Sequence, residues 1–234
     1  MLAIVRIAAG SKALTTDARR APAVAVLREW LDGFIVIGLV ALFLATFVIR
    51  TFYIPSISMI PTLHVGDIVL VDELSYRLHP PRPGEIAVFM PPIASGGDDF
   101  VKRVIGVPGD TISIRHGIVY RNGRAVSEPY INQAPRYNLE IAHYTIYVDG
   151  VALNPRQADI PPRSMWQAPN RIPRGFYFVL GDNRNYSDDS HVWGFAQRHG
   201  PFAAGPLKGT SARARFAGPV FCIFWPLHRF RILS

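Results

Sequence analysis

The sequence predicts a mainly antiparallel β-sheet domain, preceded by a single N-terminal transmembrane helix, on three observations. One long uncharged apolar run, Gly33 to Ile49, lies near the start of the chain. Beyond it, apolar residues recur in short runs of strand length rather than at helical spacing. Turn dipeptides separate those runs, chiefly Asn122-Gly123 and Asp149-Gly150, in a chain of 234 residues holding 20 prolines and 19 glycines.

Met1 to Glu29 carries Arg6, Lys12, Arg19, Arg20 and Arg28 among small residues and reads as a cytoplasmic tail. Arg19-Arg20 is followed by Ala-Pro-Ala, the wrong context for a twin-arginine export signal. The run from Gly33 to Ile49 would rise about 25 Å as a helix, near the lower limit of a bilayer span. Trp30 on one side and Phe52 and Tyr53 on the other supply interfacial aromatics, and Arg50 can snorkel to lengthen the span. Residues 30–53 are therefore assigned to a retained anchor. A cleavable signal peptide would need a charged region of unusual length, and no small-x-small site follows. Basic residues ahead of the span put the N-terminus inside and residues 54–234 on the outer face.

Strand-like runs follow at Asp67–Val71, Ile86–Met90 and Phe100–Ile105, the last ending in Val-Pro-Gly-Asp, where Pro108-Gly109 suits a type II turn. Asn154 to Arg174, rich in proline and polar residues, reads as a long loop. Phe176–Leu180 is a buried strand and Gly218–Leu227 the last major one. The net charge of +8 comes from scattered basic residues, which fit an exterior beside anionic lipid and exclude a nucleic-acid-binding stripe. Cys222 is the single cysteine, so no intrachain disulfide can form, and its apolar run makes it a buried small hydrophobe. The seven histidines are dispersed, without an HExxH or Cys/His cluster, so neither a metal nor another cofactor is expected.

Three stretches carry candidate chemistry. Pro55 to Thr62 (P-S-I-S-M-I-P-T) places Ser56 and Ser58 one residue apart between prolines, just beyond the apolar run. A serine nucleophile needs a base, and a desolvated lysine can serve. Lys102, within F-V-K-R-V-I, has an apolar setting, and strand alternation sends Lys102 and Arg103 to opposite faces. The strand pattern alone favours ordinary surface charges at a strand edge. The third stretch, Gly181 to Gly194 (G-D-N-R-N-Y-S-D-D-S-H-V-W-G), has the density of polar and acidic residues expected of a site-bearing loop. Taken singly, Asp182, Asn183 or Ser187 would be ordinary turn residues.

Together and in this order, P-S-I-S-M-I-P-T, F-V-K-R-V-I-G-V-P-G-D and the Gly181–Gly194 stretch resemble the bacterial type I signal peptidase family, over roughly Ile54 to Gly194. The match weakens over about 112–175, where the family varies and an inserted β-subdomain is implied. The resemblance implies a membrane-bound serine endopeptidase, acting on signal-peptide-bearing preproteins after small-x-small sites at the outer face of the bacterial cytoplasmic membrane. It assigns Ser58 as nucleophile and Lys102 as general base. The Ser58 backbone N–H and the Ser56 hydroxyl would form the oxyanion hole, and Ser187 would orient the lysine. Arg103, Asp182 and Asp189 would form an ion cluster, and Ile54, Pro55, Met59, Leu63, Phe100 and Val101 the groove walls.

Two positions depart from the family pattern. Ile57 separates the serines where a small residue is usual, and His191 stands where arginine is usual. These departures bear on substrate range, and leave open a dedicated conjugation- or pilin-type processing peptidase of the same clan. A self-cleaving repressor would need a DNA-binding helix pair where the apolar run stands. An inactive membrane-tethered binding domain fits poorly with Ser58, Lys102 and Ser187 being present together.

Overall fold

The structure, a computed structural model, describes residues 20–93, 98–155, 157–198 and 216–233, with the side chains of 20–25 and 44–47 outside that description. It divides into two units, Met1–Ala45 and Thr46–Ser234. Most of the expected tail, and residues 199–215, lie outside the described residues.

Helix α1 (Arg20–Phe47) contains most of the apolar run. The consecutive residues Phe34, Ile35, Val36 and Ile37 are all more than half exposed. Four successive helical positions point all the way round the axis, so this surface is apolar on every side rather than amphipathic. Among the described residues, no helix is long and apolar enough to cross a membrane. The expected span also takes in 44–47, whose side chains are outside the description.

The helix stops at Phe47, and the residues that follow it change to strand. Ile49–Tyr53 form strand β1, paired with β2 (Ile68–Asp72) from Ile49 opposite Asp72 to Tyr53 opposite Ile68. Backbone pairing to β2 holds this segment extended, and Arg50 donates to Glu73 and stacks on Phe52.

Two further strands, β3 (Ile86–Phe89) and β4 (Phe100–Gly106), start within the predicted runs. Next come β5 (Ile112–Arg115), β6 (Ile118–Arg121), β7 (Arg124–Ala125), β8 (Leu139–Ala142), β9 (Thr145–Val148) and β10 (Val151–Ala152). These form a separate six-stranded sheet in the order β10-β9-β8-β5-β6-β7. At Asn122-Gly123 and Asp149-Gly150 both central residues have positive φ, as a tight hairpin turn requires. The chain returns through β11 (Phe176–Leu180), β12 (Ala196–Gln197), β13 (Phe216–Trp225) and β14 (Arg231–Ile232). The main sheet is eight-stranded, in the order β1-β2-β13-β3-β4-β11-β12, with β14 also on β13. The described fold is thus mainly antiparallel β.

Three apolar clusters hold these layers. One packs Ile105, Phe178 and Leu180 of the main sheet with Ile114, Val119, Ile141 and Ile146 of the second sheet. Another gathers Tyr76, Ala87, Phe89, Val104, Val179 and Trp193. The third sets Ile54, Met59 and Leu63 against Val69, Val71, Ile86, Val88, Val220 and Ile223. Burying each such side chain contributes about 1.5–3 kcal/mol, so the serine-bearing turn is anchored from beneath. Cys222 is buried and free within β13.

Candidate active site

The turn after β1 is closed by its own backbone. Ile54 N–H donates to Asp67 C=O, Gly66 N–H to Ile54 C=O, and Leu63 N–H to Met59 C=O. Asp67, itself buried, accepts the His64 N–H and a two-pronged contact from Arg229 at 2.8 and 3.0 Å. On this closed base, Ser58 is 7% exposed, and its hydroxyl lies 3.2 Å from that of the more exposed Ser56.

Strand β4 supplies Lys102. It runs between β3, where Ala87 faces Lys102, and β11, where Leu180 faces Arg103. A strand paired on both sides is no edge, and Lys102 and Arg103 are only 4% and 6% exposed, which overturns the surface-charge alternative. Their side chains part as strand geometry demands. Lys102 Nζ lies 5.4 Å from the centre of the Phe100 ring. Burial pushes the Lys102 ammonium down to about 8, against the opposing pull of Asp189, Asp188 and Asp182. Arg103 grips Asp182 through Nε and Nη2 at 2.8 and 2.6 Å, and donates from Nη1 to the Gly84 carbonyl.

The loop after β11 docks onto both. Since Leu180 faces Arg103, the register brings Gly181 abreast of Lys102. A Cβ on Gly181 would overlap the Ser58 carbonyl and the Ser187 hydroxyl, so only glycine permits this approach. Asn183 donates its backbone N–H to the Ser58 carbonyl at 3.0 Å and its side-chain amide to the Ile57 carbonyl at 3.1 Å. The Ile57 carbonyl and the Ser58 N–H share one planar peptide unit. Holding the carbonyl therefore fixes the direction of the N–H. Asp182 also accepts from the Thr62 hydroxyl, which ties the loop to the serine turn from a second side.

The expected ion cluster resolves into two separate constellations. Arg103 pairs with Asp182, whereas Asp189 accepts from the Gly181 N–H, the His191 N–H and His191 Nδ1, the last at 2.6 Å. The His191 ring stacks on Tyr137, with centroids 4.4 Å apart and 9° between planes. The histidine thus holds Asp189 by a ring nitrogen while the Tyr137 stack braces its ring.

Two expected placements meet a different geometry. Among the described residues the Ser187 hydroxyl is buried and has no hydrogen-bond partner, Lys102 included. Ile54, Met59 and Leu63 were expected as groove walls, yet they are 2%, 1% and 0% exposed. Their side chains are taken up by the core beneath the turn; Pro55, Phe100 and Val101 keep accessible surface. Sequence reasoning missed Thr62, Asn183 and Arg184. Arg184 is fully buried, donates from Nε to the Gly181 carbonyl and pairs with Glu128.

The family model described as signal peptidase, peptidase S26, matches residues 27–205. The chain belongs to this signal peptidase family. It is 41% identical over 175 residues to a probable signal peptidase I-1 of Synechocystis sp., covering 72% of this chain and 75% of that protein. A signal peptidase I of Leptolyngbya laminosa is 35% identical over 208 residues, covering 85% of this chain and 81% of its own length. Signal peptidase IB of Staphylococcus aureus is 32% identical over 205 residues, at 88% and 93% coverage. Among solved structures, a signal peptidase I from Enterococcus faecalis V583 is 33% identical, with a TM-score of 0.36 over 51% of this chain and 91% of that one.

Proposed function

We propose that this member of the signal peptidase family is a membrane-anchored serine endopeptidase that removes N-terminal signal peptides from exported preproteins after small-x-small sequences. Ser58 is the nucleophile and Lys102 the general base. The observation that carries the assignment is the burial of Lys102 in a central strand with its pKa pushed down to about 8, abreast of a glycine pressed against the Ser58 carbonyl.

At neutral pH about one lysine in ten is then uncharged, enough for a base matched to its task. Neutral Lys102 takes the Ser58 hydroxyl proton as Oγ attacks the scissile carbonyl. The oxyanion meets the Ser58 N–H, aimed by Asn183, and the Ser56 hydroxyl. Lys102 then returns the proton to the leaving amine, giving an ester on Ser58. Lys102 next deprotonates water for attack on that ester, and the proton goes back to Ser58 Oγ. Ser187 is assigned to orient the lysine, its free hydroxyl being available once substrate closes the site. Catalytic hydrogen bonds are often unformed without substrate. Pro55, Phe100 and Val101 line the accessible side of the groove, while Ile54, Met59 and Leu63 support its floor.

The anchor is assigned to the apolar helix, whose exposed surface needs lipid to cover it. The N-terminus is cytoplasmic and residues 54–234 sit at the outer face of the bacterial cytoplasmic membrane. Ser58 follows that helix closely in the chain, so enzyme and membrane-held precursor share one surface, which raises their effective concentration.

Detergent-solubilised full-length protein should cleave a preprotein at its small-x-small site, and Ser58→Ala should not; equal cleavage by both would sink the proposal. A panel of precursors tests breadth. Ile57, 48% exposed between the two serines, is free to meet a substrate, and a narrow precursor set is the second reading.

Two smaller effects follow from the oxyanion geometry. Ser56→Ala should raise the barrier by about 2–4 kcal/mol with KM little changed, as for loss of one donor. Single-turnover rates would measure this, and an unchanged rate removes Ser56 from the site. Asn183→Ala frees the Ile57–Ser58 peptide plane and should lower kcat by about tenfold, within the range of modest misplacement. A larger effect on KM than on kcat would assign Asn183 to substrate binding instead.

A further inference from the structure

The second sheet carries none of the chemistry proposed above, yet the segment joining β7 to β8 meets the 181–191 loop at three successive places and Arg103 of β4 at a fourth. Glu128 takes Arg184 in a bidentate pair at 2.8 and 2.5 Å, with side chains 5% and 0% exposed. The Tyr130 ring lies 3.8 Å beneath the Arg103 guanidinium, and its hydroxyl donates to Glu128. Asn185 donates to the Ala134 carbonyl and accepts the Arg136 N–H. Tyr137 stacks on His191. The far ends of these contacts reach the site at one remove. Arg184 holds the Gly181 carbonyl, Arg103 holds Asp182, and His191 holds Asp189, which in turn holds the Gly181 N–H.

A buried ion pair is a poor source of stability, because desolvation offsets its attraction, and its best-attested use is to fix one arrangement. Three contacts in matching order along two segments fix a register, and the Tyr130 ring under Arg103 ties the same segment to β4. The geometry points to residues 128–137 as a positioning strap, with Glu128, Tyr130 and Tyr137 holding the 181–191 loop in place against Ser58 and Lys102. This inference rests on the Ser58/Lys102 reading. It gives the second sheet a task in the reaction, namely to present the strap.

The test uses detergent-solubilised full-length protein, with hydrogen exchange at the amides of 181–191 measured beside cleavage kinetics. Glu128→Gln and Tyr137→Leu should each speed exchange in that loop. Each should lower kcat by about tenfold to a hundredfold with KM within about twofold, the range for small misplacement of catalytic groups. The double variant should lose less than the product of the two, since both act on one loop. Tyr137→Phe keeps the stack and deletes only a buried hydroxyl that has no partner among the described residues, so it should behave as wild type. Unchanged loop exchange in Tyr137→Leu overturns the strap, and faster exchange with unchanged kcat overturns its part in catalysis. A loss of rate in Tyr137→Phe equal to that in Tyr137→Leu overturns the stack as the contact that matters. Wild-type cleavage that survives Ser58→Ala overturns the site reading and the catalytic part of this inference with it, while the exchange result still decides whether the strap holds the loop.

Discussion

Lys102→Met should reduce cleavage by about 10²–10⁴-fold, the contribution of a positioned general base, while the domain stays folded. Methionine has nearly the length of lysine and suits a buried site, so the loss would come from the missing amine rather than from a cavity. The same substitution should stabilise the protein at neutral pH. Burial lowers the Lys102 pKa from 10.5 to about 8, so the unfolded chain binds more protons than the folded one between those values. Stability of the wild type therefore rises with pH across that window, and the cost of charging Lys102 is fully present below pH 8. The interval corresponds to about 3 kcal/mol, an order of magnitude for the gain in Lys102→Met. Urea unfolding at pH 7 and pH 10 reads the gain as a difference that shrinks at the higher pH. In the wild type, kcat/KM should rise through about pH 8 and then level. Full activity in Lys102→Met would remove lysine from the mechanism, and a profile flat from pH 6 to 10 would remove it as the titrating base.

The sequence made the sheet legible wherever a strand is wholly buried or bounded by glycine. Phe176–Leu180 and Ile86–Phe89 are continuous apolar strands, and both lie in the sheet interior. Asn122-Gly123 and Asp149-Gly150 marked hairpins because those residues tolerate positive φ. His116-Gly117 and His143-Tyr144 make the same backbone excursion with residues that carry a weaker signal. Strand β1 escaped notice because no glycine or proline marks the change from helix, and Arg50, Phe52 and Tyr53 equally suit the end of a membrane span. In the site, motif order picked out Ser58 and Lys102. It could not separate the groove from the core, since Ile54, Met59 and Leu63 have the composition of either. Nor could it find Glu128 and Arg184, 56 positions apart, because a surface glutamate and a loop arginine look alike whether or not the fold buries them as a pair.

Asp182→Asn should be the most destabilising single change in the site. It removes the charged partner of Arg103, which is left buried against the Gly84 carbonyl and the Tyr130 ring. Removing one member of a buried pair costs about 3–5 kcal/mol, because an ion loses its counter-charge without regaining water. The asparagine can still accept from Thr62, so the packing volume and the tie to the serine turn both persist. Chemical denaturation should show a lower midpoint with little change in slope. The pair Arg103→Met with Asp182→Leu separates stability from positioning. Replacing both charges by apolar groups of similar volume is often neutral or stabilising, so most of the lost stability should return. Activity should not return with it, because a leucine side chain in place of the Asp182 carboxylate cannot accept from Thr62, and the loop loses its tie to the turn that bears Ser58. Recovery of both would mean that the ion pair only fills space, and recovery of neither would mean that the Gly84 and Tyr130 contacts of Arg103 are what the fold requires.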